Sequence, residues 1–449
     1  MASISIVGGG IAGLTCAWRL QRAGHDVEVL EREATPGGRM RSERVTTPRG
    51  AFVVDRGAQF VASGYTNLRS VAEALGLSSR LQRIHPAHNA ILRAGRWHAG
   101  DYESLAAFLR SDLLSLRTKA RLPRLLFELW RGRRELDPYH PERAAALDRE
   151  DMSAYLRRVV GEEAAEFLFA PAFSSTFDSE PEELSGTFAL LAMRFVLSGF
   201  RLEAFDGGLG LLPRTLAEQV PVRTGCEVMA VETGDGGARI TYRSAGSGRE
   251  SRVLADAAVV ALPGSLVSGV CATLTPEERS FFSSVRYGRG ILCFLMTDRA
   301  PATIPGYGVA FPRREHAEHG GLGLYGLAVD HAKRGVAPAG AGLFNVSLTA
   351  AAAAQHWDAP DDAIVAFVLA ALARTPVGRI EPIAHAVHRW DPMLPQFYAG
   401  YLPRLARFGA RRERSPRLAF AGDYLIGPYT EMALTSGMRA ATDAVRWLD

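Results

Sequence analysis

Lysine is nearly absent: Lys119 and Lys333 are the only two, so the 52 basic residues are almost all arginine, a skew that fits genome base composition rather than recognition chemistry. The 48 acidic residues nearly balance them, and a net charge of +4 offers no footprint for a nucleic acid. Cysteine is scarce too. Cys16, Cys226, Cys271 and Cys293 form no CxxC pair and have no histidine at ligand spacing, which excludes a zinc site or disulfide framework and favours a reducing compartment. None of the eleven histidines pairs in a way that suggests metal or triad chemistry. No apolar run reaches the ~18 residues of a membrane span, and the first residues lack the basic region of a signal peptide. The expected location is cytoplasmic, with peripheral membrane contact as the alternative. What remains is an ordinary globular composition, 47% hydrophobic and 22% charged over 449 residues, enough for roughly two to three domains.

The densest signal is near the start. Ile4-Ser5-Ile6-Val7 reads as a buried strand, Gly8-Gly9-Gly10-Ile11-Ala12-Gly13 as a turn, and 14–20 as a helix. In this spacing Gly8 permits the tight turn, Gly10 lets backbone approach a pyrophosphate, and Gly13 lets helix and strand pack closely, while Ile11 and Ala12 carry the helix N-terminus that takes the anion. A second strand, 26–31, ends at Glu31, followed by Arg32, where a carboxylate can accept both ribose hydroxyls of an adenosine. A ribose carboxylate repels a 2′-phosphate. No second strand-linked glycine motif is visible, since Gly340-Ala341-Gly342 lacks the third glycine and the helix.

Two further segments sharpen this: Pro36-Gly37-Gly38-Arg39-Met40-Arg41-Ser42 with Asp55-Arg56-Gly57-Ala58-Gln59-Phe60, and Arg417-Leu418-Ala419-Phe420-Ala421-Gly422-Asp423 ahead of a helix over 431–441. With them the chain resembles the FAD-dependent superfamily of amine oxidases, protoporphyrinogen oxidases and phytoene-type desaturases. The resemblance implies an α/β chain (α+β overall) with a Rossmann-like FAD domain of the glutathione-reductase/amine-oxidase type, an antiparallel-sheet substrate domain and an inserted helical region. It implies noncovalent FAD, there being no cysteine in 395–398 for a covalent link. Arg39 then offsets the pyrophosphate, Gly38, Gly57, Ala58, Gln59 and Phe60 lie against the cofactor, Val228 sets its backbone on adenine, and Gly422 and Asp423 reach the ribityl chain. The amides of Thr430, Glu431 and Met432 face the flavin pyrimidine. Tyr429, Trp390 and Gln59 are the expected catalytic residues around the isoalloxazine.

Middle segments such as Gly207-Gly208-Leu209-Gly210-Leu211-Leu212-Pro213 and His388-Arg389-Trp390-Asp391-Pro392 look most like protoporphyrinogen oxidase, whereas Pro428-Tyr429-Thr430-Glu431 is closer to amine oxidases and desaturases. The strand lysine of amine oxidases is replaced here by Leu292. The expected domains are 1–80, 205–280 and 400–449 for FAD; 81–103 and 281–399 for the substrate sheet; and 104–204 for the helical insertion. Within the insertion, 113–136 mixes seven basic residues with Leu, Phe127 and Trp130, which fits either a membrane-surface helix pair or a solvated charged face over a buried stripe. The expected partners are an apolar small-molecule substrate and oxygen or a quinone as electron acceptor. A carotenoid- or squalene-type desaturase is an alternative within the superfamily. A nicotinamide-dependent dehydrogenase leaves the Gly-Asp segment without a task, and a non-catalytic flavin scaffold is distinguished only by turnover.

Overall fold

The computed structural model describes residues 1–86, 89–100, 110–197, 201–301, 304–315 and 321–446. Residues 104–109 and 198–200 of the expected insertion lie outside these. The apolar run at the start forms strand Ser3–Val7, the centre of a five-stranded sheet in the order Val222–Arg223, Asp26–Leu30, Ser3–Val7, Ala257–Val260 and Leu418–Phe420, with every pair parallel. Such a sheet must be covered on both faces. Helix Ile11–Arg22 and helix Thr430–Val445 pack together to supply one cover, and their contact needs glycine: a Cβ at Gly437 would lie 2.1 Å from the Ala12 carbonyl oxygen. Strand Cys226–Gly234 belongs to a separate three-stranded antiparallel sheet with Gly237–Ser244 and Glu250–Ala255.

The alternating segments of 285–347 form strands Gly290–Thr297, Leu324–Val329 and Gly342–Leu348, the middle of a seven-stranded sheet that also takes in Ala384–Trp390, Gly308–Ala310, Asn89–Arg93 and Arg96–Gly100. Its pairs are antiparallel except Gly308–Ala310 with Asn89–Arg93. Helix Asp361–Leu372 buries Ile364, Val368 and Leu372 against one face. The other face carries small residues, Gly308, Ala310, Gly326 and Ala328, and leaves room for a chamber.

Helices Pro123–Arg131, Ala170–Phe177 and Gly186–Leu197 close that chamber. Along 113–136 the helices are Leu116–Lys119 and Pro123–Arg131. The second buries Leu125 and Leu129 and exposes Leu126, Phe127 and Trp130, so the apolar side chains there lie on both faces. Among the described residues no helix is long and apolar enough to cross a membrane.

Candidate active site

One continuous cavity of about 2040 Å³ runs from the glycine turn to the seven-stranded sheet. Ligand pockets are typically ~300–1,000 Å³, so this one has room for a dinucleotide and a second molecule. At its first end, Gly8, Gly10, Ile11 and Ala12 line the wall. Gly8 has φ 105°, and Gly10 opens helix Ile11–Arg22 with no side-chain cap and no acidic residue in the first turn. A Cβ on Gly10 would meet nothing within 4 Å. The helix therefore presents unpaired amides to empty space, which is what an anionic phosphate requires. Gly13 lies behind the wall and serves packing, since its Cβ would fall 2.0 Å from the Gly8 carbonyl oxygen.

Glu31 is buried at the end of its strand, where Oε2 accepts the Gly9 amide at 2.6 Å and Oε1 the Glu33 amide at 2.7 Å. Arg32 beside it is exposed and lines the same end. Val228 reaches the cavity with Cys226, Glu227 and Met229 because the strand pairing slips between Val228 and Ala230, a bulge that turns this stretch inward.

Gly38, Gly57, Ala58 and Phe60 line the next section, and a Cβ on Gly57 would lie 2.3 Å from the Arg39 carbonyl oxygen. Here three side chains expected at the cofactor already have partners within the protein. Arg39 faces the cavity, but its charge is already matched: Nη1 is 2.8 Å from Asp423 Oδ2 and donates to the Met393 carbonyl. It is the link between two cofactor segments rather than a free counter-charge for pyrophosphate. Asp423 is correspondingly occupied, its Oδ1 accepting from the Tyr287 hydroxyl at 3.2 Å and the Tyr424 amide at 3.0 Å. Gln59 lines the cavity without a free amide: Nε2 donates to the Asp55 and Gly57 carbonyls, and Oε1 accepts from Lys333. It holds its own loop and is a positioning residue, not a catalytic one.

The last helix offers the cavity its backbone rather than its acidic side chain. Tyr429 and Thr430 line the cavity at its uncapped N-terminus, and the Thr430 hydroxyl is buried without a partner. The side chains of Glu431 and Met432 turn away. Met432 is core, and the Glu431 carboxylate accepts the Asn67 and Leu68 amides at 2.9 and 2.8 Å and the Tyr139 hydroxyl at 2.7 Å, so it caps helix Thr66–Ala74. Only their backbone remains available to a ligand.

Beyond this point the walls are aromatic. The Tyr429 ring packs edge-on to Phe177 at 5.5 Å and lies 5.6 Å from Phe195. Trp390 is pinned opposite by its indole N–H, which donates to the Arg56 carbonyl at 2.6 Å. Behind it His388 accepts from Arg56 Nε at 3.1 Å through Nδ1, and burial with the adjacent arginines pulls its pKa down to about 4. Leu292 lines the sheet wall. Lys333 does not take its place there: it is buried against Asp55 Oδ2 at 3.1 Å and Asp330 Oδ1 at 2.8 Å, away from the cavity surface. Asp55, whose Oδ1 also accepts from Ser42 and the Leu209 amide, is thus a structural hub that sequence reasoning passed over. Among the described residues no cluster of ligating side chains could hold a metal ion.

Residues 11–445 match the model of the family described as flavin containing amine oxidoreductase. The chain belongs to that family. It is an FAD-dependent oxidoreductase, and the two uncapped helix ends, the glycine cradle and Glu31 fit the cofactor. Among relatives, it is 21% identical to protoporphyrinogen oxidase 2 (chloroplastic/mitochondrial) of Arabidopsis thaliana over 99% of this chain and 94% of that protein. It is 25% identical to the flavin-dependent L-tryptophan oxidase RebO of Lentzea aerocolonigenes over 63% of each. Its fold is similar to putrescine oxidase bound to putrescine, with a TM-score of 0.79 at 19% identity over 99% of each chain. Cyclohexylamine oxidase of Brevibacterium oxydans superposes at 0.76, with 18% identity over 100% of this chain and 99% of that one.

Proposed function

We propose that this flavin oxidoreductase removes hydride from a C–N or C–C bond of a largely apolar, ring-bearing organic substrate, in a protoporphyrinogen-oxidase-like reaction. The observation that carries the reading is the aromatic chamber of Tyr429, Trp390, Phe177 and Phe195 opening directly onto the cofactor end of the same cavity. FAD, held noncovalently, supplies the hydride acceptor when bound. The protein's part is to orient and to dry the site: the pinned Trp390 and the Tyr429 ring fix the plane of a flat substrate, and Leu292 on the sheet wall keeps that side apolar. Oxygen or a quinone serves as the final acceptor, in line with the single dinucleotide motif of the chain.

Anaerobic mixing of the yellow protein with protoporphyrinogen, with benzylic and alkyl amines, and with polyene precursors tests this. Bleaching of the flavin absorbance by one ring-bearing substrate is expected. Flavin that stays oxidised with every one of them overturns it.

A further inference from the structure

The large apolar side chains that a folded chain leaves in water are usually scattered singly over its surface. Here they are gathered. Leu126, Phe127 and Trp130 on helix Pro123–Arg131 are 58%, 55% and 58% exposed, and Leu116 on the short helix before it is 81% exposed. The helix already has its buried stripe in Leu125 and Leu129, so its outward face is apolar where a solvated helix carries polar residues. The Phe127 and Trp130 rings stack on that face at 5.9 Å, and the Arg133 guanidinium lies 4.6 Å over the indole. Val196 and Leu197, at the end of the neighbouring helix Gly186–Leu197, are exposed as well. With Leu126 they form part of the cavity wall, so the chamber reaches the surface at this patch. Charge is gathered in the same place. Residues 113–136 hold seven basic residues and two acidic ones, a net +5 against +4 for the whole chain, which leaves the rest close to neutral. Arg117, Arg124, Arg131 and Arg134 among them are exposed.

We propose that this face docks on a bilayer surface rich in anionic lipid, with Leu126, Phe127 and Trp130 among the headgroups and upper acyl chains, the arginines against the phosphates, and the cavity opening toward the lipid. The inference goes beyond the oxidoreductase reading and does not depend on which substrate is turned over. Helix Pro123–Arg131 has nine residues, about 14 Å of length, so it lies in the plane of the interface and does not enter the hydrocarbon as a span. An anionic bilayer answers both halves of the patch, because its acyl boundary takes up the apolar side chains while its headgroups meet the guanidiniums. A second copy docked face to face through the same patch sets +5 against +5 and leaves the arginines of both without a counter-charge.

Sedimentation of the FAD-loaded protein with vesicles tests this, using phosphatidylcholine alone and phosphatidylcholine with one third phosphatidylglycerol. At least tenfold tighter binding to the anionic vesicles is expected, falling steeply as salt is raised because screening shortens the reach of the arginines. Phe127→Ser with Trp130→Ser, two positions outside the cavity wall, is expected to weaken that binding at least tenfold while flavin content stays as in the parent. Should that variant not fold, Arg117→Gln with Arg134→Gln is expected to weaken it at least threefold at low salt. Vesicles with brominated acyl chains are expected to quench the tryptophan fluorescence of the parent, and to quench that of Trp130→Phe less, which separates insertion from charge attraction alone. Absence of sedimentation with the anionic vesicles overturns the proposal, as does binding that the variants keep unchanged or quenching that Trp130→Phe leaves unchanged. A concentration-dependent dimer that the double serine variant abolishes, in protein that does not bind vesicles, also overturns it and assigns the patch to a second copy.

Discussion

The Arg39 guanidinium and the Asp423 carboxylate lie 2.8 Å apart, tying the Gly-Gly-Arg segment near one end of the sequence to the Gly-Asp segment near the other. Asp423 is almost wholly buried, so removing it alone strands the guanidinium and leaves the Tyr287 hydroxyl and Tyr424 amide without their acceptor. Asp423→Ala is expected to cost on the order of 3–5 kcal/mol. Combined with Arg39→Met, the loss should fall short of the sum by about 1–3 kcal/mol. Urea unfolding of the four proteins measures this, and additive losses would show that the pair is not coupled.

Glu31 already holds two backbone amides before it meets any ribose. Glu31→Ala should therefore loosen the turn as well as the nucleotide, at roughly 1–3 kcal/mol. The expected result is flavin lost on dialysis; flavin retained as in the parent would remove Glu31 from the cofactor site.

Two buried groups tilt pH stability in opposite senses. The folded pKa of Asp178 is raised from 3.8 to about 7, so its contribution is fully present below the unfolded value and is lost as pH rises toward 7. The folded pKa of His388 is lowered from 6.5 to about 4, so its contribution is present above 6.5 and lost as pH falls toward 4, on the order of 3 kcal/mol in all. Substrate-free Asp178→Asn should match the parent melting temperature near pH 3.5 and exceed it at pH 8. His388→Gln should flatten the acid side of the curve between 6.5 and 4. Parallel melting curves for parent and variants across this range would refute both assignments.

Gly437→Ala forces its new methyl against the Ala12 carbonyl oxygen and must part the first and last helices. An expected loss of about 1–3 kcal/mol accompanies weaker flavin binding, because Ala12 lines the cavity. Gly409→Ala, in a helix with nothing within 4 Å of the added Cβ, should instead be neutral or gain up to about 1 kcal/mol. Equal thermal shifts in the two variants would discount the helix contact.

Local chemistry made the cofactor end readable. Gly8, Gly10, Gly13 and Glu31 sit within one strand-turn-helix-strand unit, where spacing alone dictates what each can reach, and the last helix was marked by the strand before it. The side-chain partners that spacing does not reveal all lie hundreds of residues away. Arg39 is matched by Asp423, Gln59 by Lys333, and Glu431 turns from the cavity because Asn67 and Leu68 offer it a helix end. Asp178 carries no motif at all. Only the left-handed turn that ends its helix, and the strand face opposite, bring it into the chamber.

The parallel sheet is assembled out of chain order: its last strand, Leu418–Phe420, pairs with Ala257–Val260, which pairs with Ser3–Val7. During synthesis the outer edge of Ala257–Val260 must wait for about 160 further residues before it is covered. The helix that closes the flavin end comes later still. Flavin capture is thus a late event on the ribosome or one that follows release, and until the last strand arrives the growing chain carries a bare sheet edge, open to self-association and to proteases.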